Sequence, residues 1–343
     1  MHITITEKFR PYSHTNGMSC MIPGTTYCLR VFPAFIQVLD LQKSIPQIIQ
    51  SLPLQIEGPL LEFTVQQDLD RGFLSVWGRG KNFYYRYRCY YSEKGEIAFE
   101  ADKGVSSFSI PSVNGACHIT PSEERLSLGS NKAQEWDAIR RRCKMEEIFP
   151  LWFRLGLQTP FSSSNFDQGT FCLLKECKDA IDARKKLSII PSFTKLYLAG
   201  FDLGLVPRLQ DDEHQGIPLA PIDPAANLSP LSLLSEGAKL IRSLFINEGE
   251  VLNILPCLPP EFHCGRLIKL QSRWGEIDLE WSKKTIRRMI LRAKESGEFQ
   301  VNLQKEIQSY RLRCVKEKEV IRKPADSSLA ILSGREYYLD NFQ

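Results

Sequence analysis

The feature that most constrains this chain is a change of hydrophobic period, made twice. From Met1 to about Leu128, apolar residues recur at every second position in short runs broken by Gly, Pro and Ser. Near Ser130 the spacing becomes three and four, and from Val251 it returns to two. Strand side chains alternate between faces while helical ones repeat every 3.6 residues, so these changes divide the chain before any motif is considered. The expected fold class is α+β and multidomain. An N-terminal β-sandwich spans residues 1–128, a short helical region with a Pro-rich acidic loop spans 129–250, and a C-terminal antiparallel β-domain spans 251–343. A length of 343 residues suits two or three such units.

Inside the first segment, strands are expected at residues 27–32, 35–39, 62–65, 74–77, 83–91 and 96–99, with turns at Lys94-Gly95 and Asn114-Gly115. The middle predicts a helix from Ser130 to about Ile148, ended or kinked by Pro150. A polar loop follows at residues 160–170 with Ser162-Ser163-Ser164, then helices at 171–187 and 191–200. Five prolines make residues 207–230 largely loop, and Ser229-Pro230 starts another helix that runs to about Phe245. Farther on, Ile277, Leu279 and Trp281 alternate with Glu276, Asp278 and Glu280, and the next strand carries Arg287, Arg288 and Arg292. A hairpin with facing opposite charges is expected there.

Charge adds little direction, because 44 Lys+Arg against 40 Asp+Glu leave +4. That balance gives no reason to expect a dedicated nucleic-acid or membrane-surface protein. No apolar run reaches the roughly 18 residues needed to span a bilayer, and the start alternates like a strand instead of forming a signal peptide's apolar block. A cytoplasmic location is expected. Ten cysteines occur singly, without a Cys-x-x-Cys pair, so buried reduced thiols are expected and a metal site at His263 and Cys264 is the sharper alternative. Walker, dinucleotide, Gly-x-Ser-x-Gly and His-Glu-x-x-His motifs do not occur, and neither cofactor nor metal is expected.

One stretch carries a resemblance. The helix Leu233-Leu234-Ser235-Glu236-Gly237-Ala238 leads to Val251-Leu252-Asn253-Ile254-Leu255-Pro256-Cys257-Leu258-Pro259, then to Gly265-Arg266-Leu267 and to Trp274-Gly275-Glu276-Ile277-Asp278-Leu279-Glu280-Trp281. It resembles the junction between the last barrel helix and the C-terminal β-domain in family 95 glycoside hydrolases, the α-L-fucosidase group. In that superfamily a β-sandwich, a helical linker, a six-hairpin (α/α)6 barrel and a β-domain follow one another. The resemblance implies a carbohydrate-active or carbohydrate-binding protein. It also meets a limit, since twelve helices with loops need roughly 200 residues and residues 129–250 supply about 120. A full barrel does not fit, and a reduced or inactive glycosidase is the reading that follows.

The residues offer three constellations. Asp211, Asp212, Glu213 and His214 place three carboxyl groups beside a histidine. Glycosidic cleavage needs one protonated and one ionised carboxyl, and crowding raises a carboxyl pKa. Solvated loop charge explains the same run, and metal binding is a third use. Trp136, Asp137 and Arg140 on the first helix suit a sugar platform with hydrogen-bonding partners, or else a core Trp with an Asp137–Arg141 pair. Residues 83–91 interleave aromatic and basic side chains. Tyr85 and Tyr87 then serve a glycan-facing sheet, a sandwich core, or a stacking surface for single-stranded nucleic acid. The expected partner is a glycan. A non-catalytic scaffold that binds another protein is the alternative, and a nucleic-acid module using Arg86 and Arg88 is the weaker one.

Overall fold

Short turn-punctuated runs at the start of the chain become strands that bury alternate residues. The computed structural model describes residues 2–56, 58–111, 122–160, 167–223, 226, 228–315 and 320–343. The first strands are β1 (Tyr12–Ser13), β2 (Met18–Met21), β3 (Tyr27–Phe32), β4 (Phe35–Asp40) and β5 (Gln47–Pro53). They are followed by β6 (Leu60–Asp68), β7 (Phe73–Gly80), β8 (Tyr84–Tyr91), β9 (Glu96–Lys103), β10 (Phe108–Pro111) and β11 (Arg125–Ser127). Two antiparallel sheets form, one in the order β1-β6-β7-β8-β9-β10 and one in the order β2-β3-β4-β5. Contacts between them close a sandwich: Tyr85 Oη donates to Pro33 O at 2.8 Å, and Gln67 Nε2 donates to Met21 O at 2.8 Å. The expected Asn114-Gly115 turn lies outside the described residues.

In the middle, the single helix expected from Ser130 to Ile148 is two, α1 (Trp136–Arg142) and α2 (Met145–Gly156). Cys143 takes a left-handed conformation, φ 48°, which ends α1. Pro150 then sits inside α2 instead of ending it. An interior proline costs about 3 kcal/mol. α2 recovers this by burying Ile148, Phe149, Leu151, Trp152, Phe153 and Leu155, each worth about 1.5–3 kcal/mol. Next come α3 (Phe171–Asp182), α4 (Lys186–Gly200) and α5 (Leu231–Phe245). α4 begins one turn before the expected position and carries Pro191 within it. Residues Ser162 to Ser164 of the expected loop lie outside the described residues.

α2 packs closely against α5. Gly156 lies against the Leu234 carbonyl, and a side chain at Gly237 would collide with the Trp152 ring, whose Nε1 donates to Leu234 O at 3.3 Å. Phe149 and Phe245 then reach Phe262 and Trp281 of the last segment, with ring centroids 5.4 Å and 5.1 Å apart for Phe149–Phe262 and Phe245–Trp281. One apolar core therefore runs through all three segments.

The last segment holds β12 (Ile246–Glu248), β13 (Val251–Ile254), β14 (Cys264–Ser272), β15 (Gly275–Ser282) and β16 (Thr285–Ala293). β17 (Gly297–Asn302), β18 (Ser309–Cys314), β19 (Val320–Pro324), β20 (Ser328–Ile331) and β21 (Glu336–Asp340) complete it. Its larger sheet runs β11-β14-β15-β16-β21-β18-β19, and the smaller runs β12-β13-β17-β20. Pairing is antiparallel except between β13 and β17. β11 precedes the helices in sequence, yet its hydrogen bonds go to β14. The expected charged hairpin forms between β15 and β16, where Glu280 faces Arg288 and Glu276 faces Arg292.

Candidate functional site

The acidic loop is organised by the end of α4. A helix leaves its last four carbonyls without intrahelical partners. Here two arginines supply the donors. Arg140 from α1 donates to Tyr197 O (3.0 Å) and Leu198 O (2.9 Å). Arg208 donates through Nε to Ala199 O (2.9 Å), through Nη2 to Leu198 O (3.0 Å) and through its backbone N to Gly200 O (2.8 Å). Cations at this end also oppose the helix dipole.

Both guanidiniums then meet Glu213, which pairs with Arg140 and accepts from Arg208 Nη1 at 3.4 Å. Asp202 accepts from the same nitrogen at 3.0 Å, and Asp211 Oδ1 faces Arg208 Nη2 at 3.8 Å. Burial pushes the Asp202 carboxyl up, against the pull of Arg208, and the charges of Glu213 and Asp212 push it further. Burial likewise pushes the Tyr197 hydroxyl up to about 12. Asp211 also accepts from Gln215 N at 2.6 Å. His214 takes a left-handed backbone, φ 54°, in the turn. The structure thus joins Asp211 and Glu213 through arginines that are already committed to a helix end. Asp202, which the sequence reading missed, belongs to the same group; nothing in its local pattern marks it, because its partners come from the loop after α4.

The other sequence candidates are placed differently. Trp136 is fully buried, so its ring presents no face to a sugar and the core reading holds. Asp137 does not pair with Arg141 along the helix; it accepts from Ser13 Oγ at 2.8 Å and from Thr15 Oγ1 at 3.2 Å. Tyr85 and Tyr87 point into the sandwich at 0% and 3% exposure, stacked at 6.2 Å. Strand alternation sends them to the face opposite Arg86 and Arg88, which share the outer face with half-buried Tyr84 and Tyr90. Those arginines pair with Asp102, at 3.4 Å and 2.8 Å. Tyr85 and Tyr87 themselves therefore offer no stacking surface beside those arginines.

Applied to β7, the same alternation marks a residue the sequence reading passed over. Leu74 and Val76 face the core, so Trp77 faces out, between Thr64 on β6 and Arg86 on β8. Arg86 lies over its ring at 6.0 Å. Half-buried Trp77 lines a cleft of about 590 Å3 with His14, Asn16, Leu61 and Glu62. His14 Nδ1 is 3.1 Å from Phe63 O and 3.0 Å from Thr64 Oγ1. A carbonyl requires Nδ1 to carry the proton, which leaves Nε2 of a neutral ring as an acceptor.

Among the described residues, no group of three or more His, Cys, Asp and Glu is placed to hold a metal, and no helix is long and apolar enough to cross a membrane. Cys20, Cys28, Cys89, Cys177, Cys257 and Cys314 are buried free thiols, whereas Cys264 is exposed. No family model and no curated protein matches this chain.

Proposed function

We propose that this protein binds carbohydrate across the wet face of its N-terminal sandwich, and that the acidic loop serves structure instead of hydrolysis. The observation that carries the reading is Trp77, half-buried in a cleft of about 590 Å3 beside His14, Asn16 and Glu62. A pyranose presents an apolar C–H face that packs on an aromatic ring, and its hydroxyls need convergent donors and acceptors. Asn supplies both, Glu accepts, and the His14 ring is already oriented. The committed partners of Glu213 argue against a free acid and base at the loop. The resemblance of residues 229–293 to family 95 glycoside hydrolases points to the same ligand class.

Glycan-array screening followed by calorimetric titration tests this reading. Trp77→Ala is expected to weaken binding at least about ten-fold, equivalent to about 1.4 kcal/mol. Asp211→Asn and Asp212→Asn are expected to leave it unchanged. Turnover of nitrophenyl glycosides that those two substitutions abolish, in protein with unchanged near-ultraviolet circular dichroism, would reinstate the hydrolase.

A further inference from the structure

A β-bulge supplies a second site. Along β15 and β16, Glu280 faces Arg288 while Trp281 faces Ile286, so Arg287 is the extra residue of β16. Strict alternation would place Arg287 on the face of Met289 and Leu291, which is core. Instead it is exposed, and two successive arginines reach solvent. Bulges re-aim side chains in this way.

Arg287 lines a cleft of about 500 Å3 where the first residues, β11 and the β14–β15–β16 hairpins meet. Asn131, Cys264, Arg266, Glu280 and Glu7 share it. Formally its two arginines and two glutamates balance, so the partners each has already made decide which charge is available. Glu280 is held by both Arg266, at 2.9 Å, and Arg288. Arg266 also donates through Nη1 to Thr4 O at 3.0 Å, and its Nη2 has no protein partner among the described residues. Arg287 Nε donates to Ser282 Oγ at 2.9 Å, and no carboxylate among the described residues pairs with it. Glu7 accepts from Ser127 Oγ and from Gln134 Nε2, both at 3.2 Å. Burial pushes its carboxyl up from the ordinary value, against the hydrogen bonds from Ser127 and Gln134.

We propose that this cleft binds the phosphate group of a small ligand between Arg287 and Arg266. Guanidinium groups present several donors in a planar fork that matches phosphate oxygens, and Asn131 adds a neutral donor. Free phosphate and a phosphorylated sugar share this chemistry. The site is separate from Trp77, so either proposal can fail alone.

The exposed Cys264 thiol provides a reporter within the cleft. Its labelling by a maleimide, located by peptide mass spectrometry, is followed on the full chain with inorganic phosphate, glucose 6-phosphate or glucose. Saturable protection by phosphate or the phosphate ester, but not by glucose, is expected. Arg287→Ala should weaken that protection at least about ten-fold, with Trp77→Ala leaving it intact. A phosphate ester that protects more strongly than inorganic phosphate identifies a phosphorylated ligand, and equal protection identifies the free anion. The proposal is overturned if neither protects at about 10 mM, a very weak affinity, or if Arg287→Ala changes nothing.

Discussion

At the end of α4, Arg140 and Arg208 direct their donors to helix carbonyls and to Glu213, whereas at the bulge of β16 Arg287 keeps a guanidinium without a carboxylate partner among the described residues. Both places are rich in opposite charges, and only their geometry separates them. A helix end has carbonyls that must be satisfied, so nearby cations are drawn into the fold. A bulge adds one residue to a ladder whose partners are already paired, so its side chain is left over. Local charge density therefore marks neither place as functional; the number of partners already made decides.

Four measurements bear on this contrast. The largest effect belongs to Arg208→Ala, which orphans the Ala199 carbonyl, removes one of the two arginines on Leu198 O and leaves Asp202 without its partner. A loss of about 3–5 kcal/mol in urea unfolding is expected, as for other broken buried pairs. A loss below about 1 kcal/mol, the range of an exposed pair, would mean that the helix end does not depend on it.

Asp340 comes next. It accepts from Arg311 at 2.6 Å and also pairs with Arg313. Burial pushes its carboxyl up, but the Arg311 hydrogen bond and the two guanidinium charges outweigh this and hold it below 3.8. Its stabilisation is complete above the ordinary value and lost as pH falls through the lowered one. Asp340→Asn should cost about 1.5–3 kcal/mol at neutral pH, the range for charge-assisted hydrogen bonds. An unchanged urea midpoint would sink that expectation.

Asp202 has the opposite sign, because burial raises its folded-state value above 3.8. Its stabilisation is complete below the ordinary value and fades as pH rises through the raised one. Asp202→Asn should therefore gain in Tm relative to wild type as pH rises above about 4. A parallel Tm profile for variant and wild type would contradict the assignment.

Arg287→Ala should be the smallest change, within about 0.5 kcal/mol, because an exposed residue without a carboxylate partner supports little. A larger loss would show that the bulged arginine belongs to the fold, and the contrast would disappear.

Much of the architecture was legible because strand alternation is a local signal. β3, β4, β7, β8 and β9 overlap the runs expected for them, and the charged hairpin follows from residues 276–292. The break between α1 and α2 was not legible, since Cys143 carries no mark of a left-handed residue. The helices through Pro150 and Pro191 were hidden for another reason: packing outweighs the local penalty of proline. The candidate site was read less well. Tyr85 and Tyr87 drew notice by composition, although the alternation that buries them also exposes Trp77. Glu7 and Arg287 escaped because one acquires its partners from distant segments and the other its exposure from a register shift, and Asp202 because the fold of the loop after α4 brings Arg208 back to it.

By itself, the sequence determined where the chain changes from strand to helix and back, because those periods follow from backbone geometry at neighbouring positions. Only the tertiary structure decided that β11 pairs with β14, that the acidic loop closes on the end of α4, and that β16 has one residue more than its partner. Pairing and partner counts depend on which distant segments meet. No local spacing encodes them.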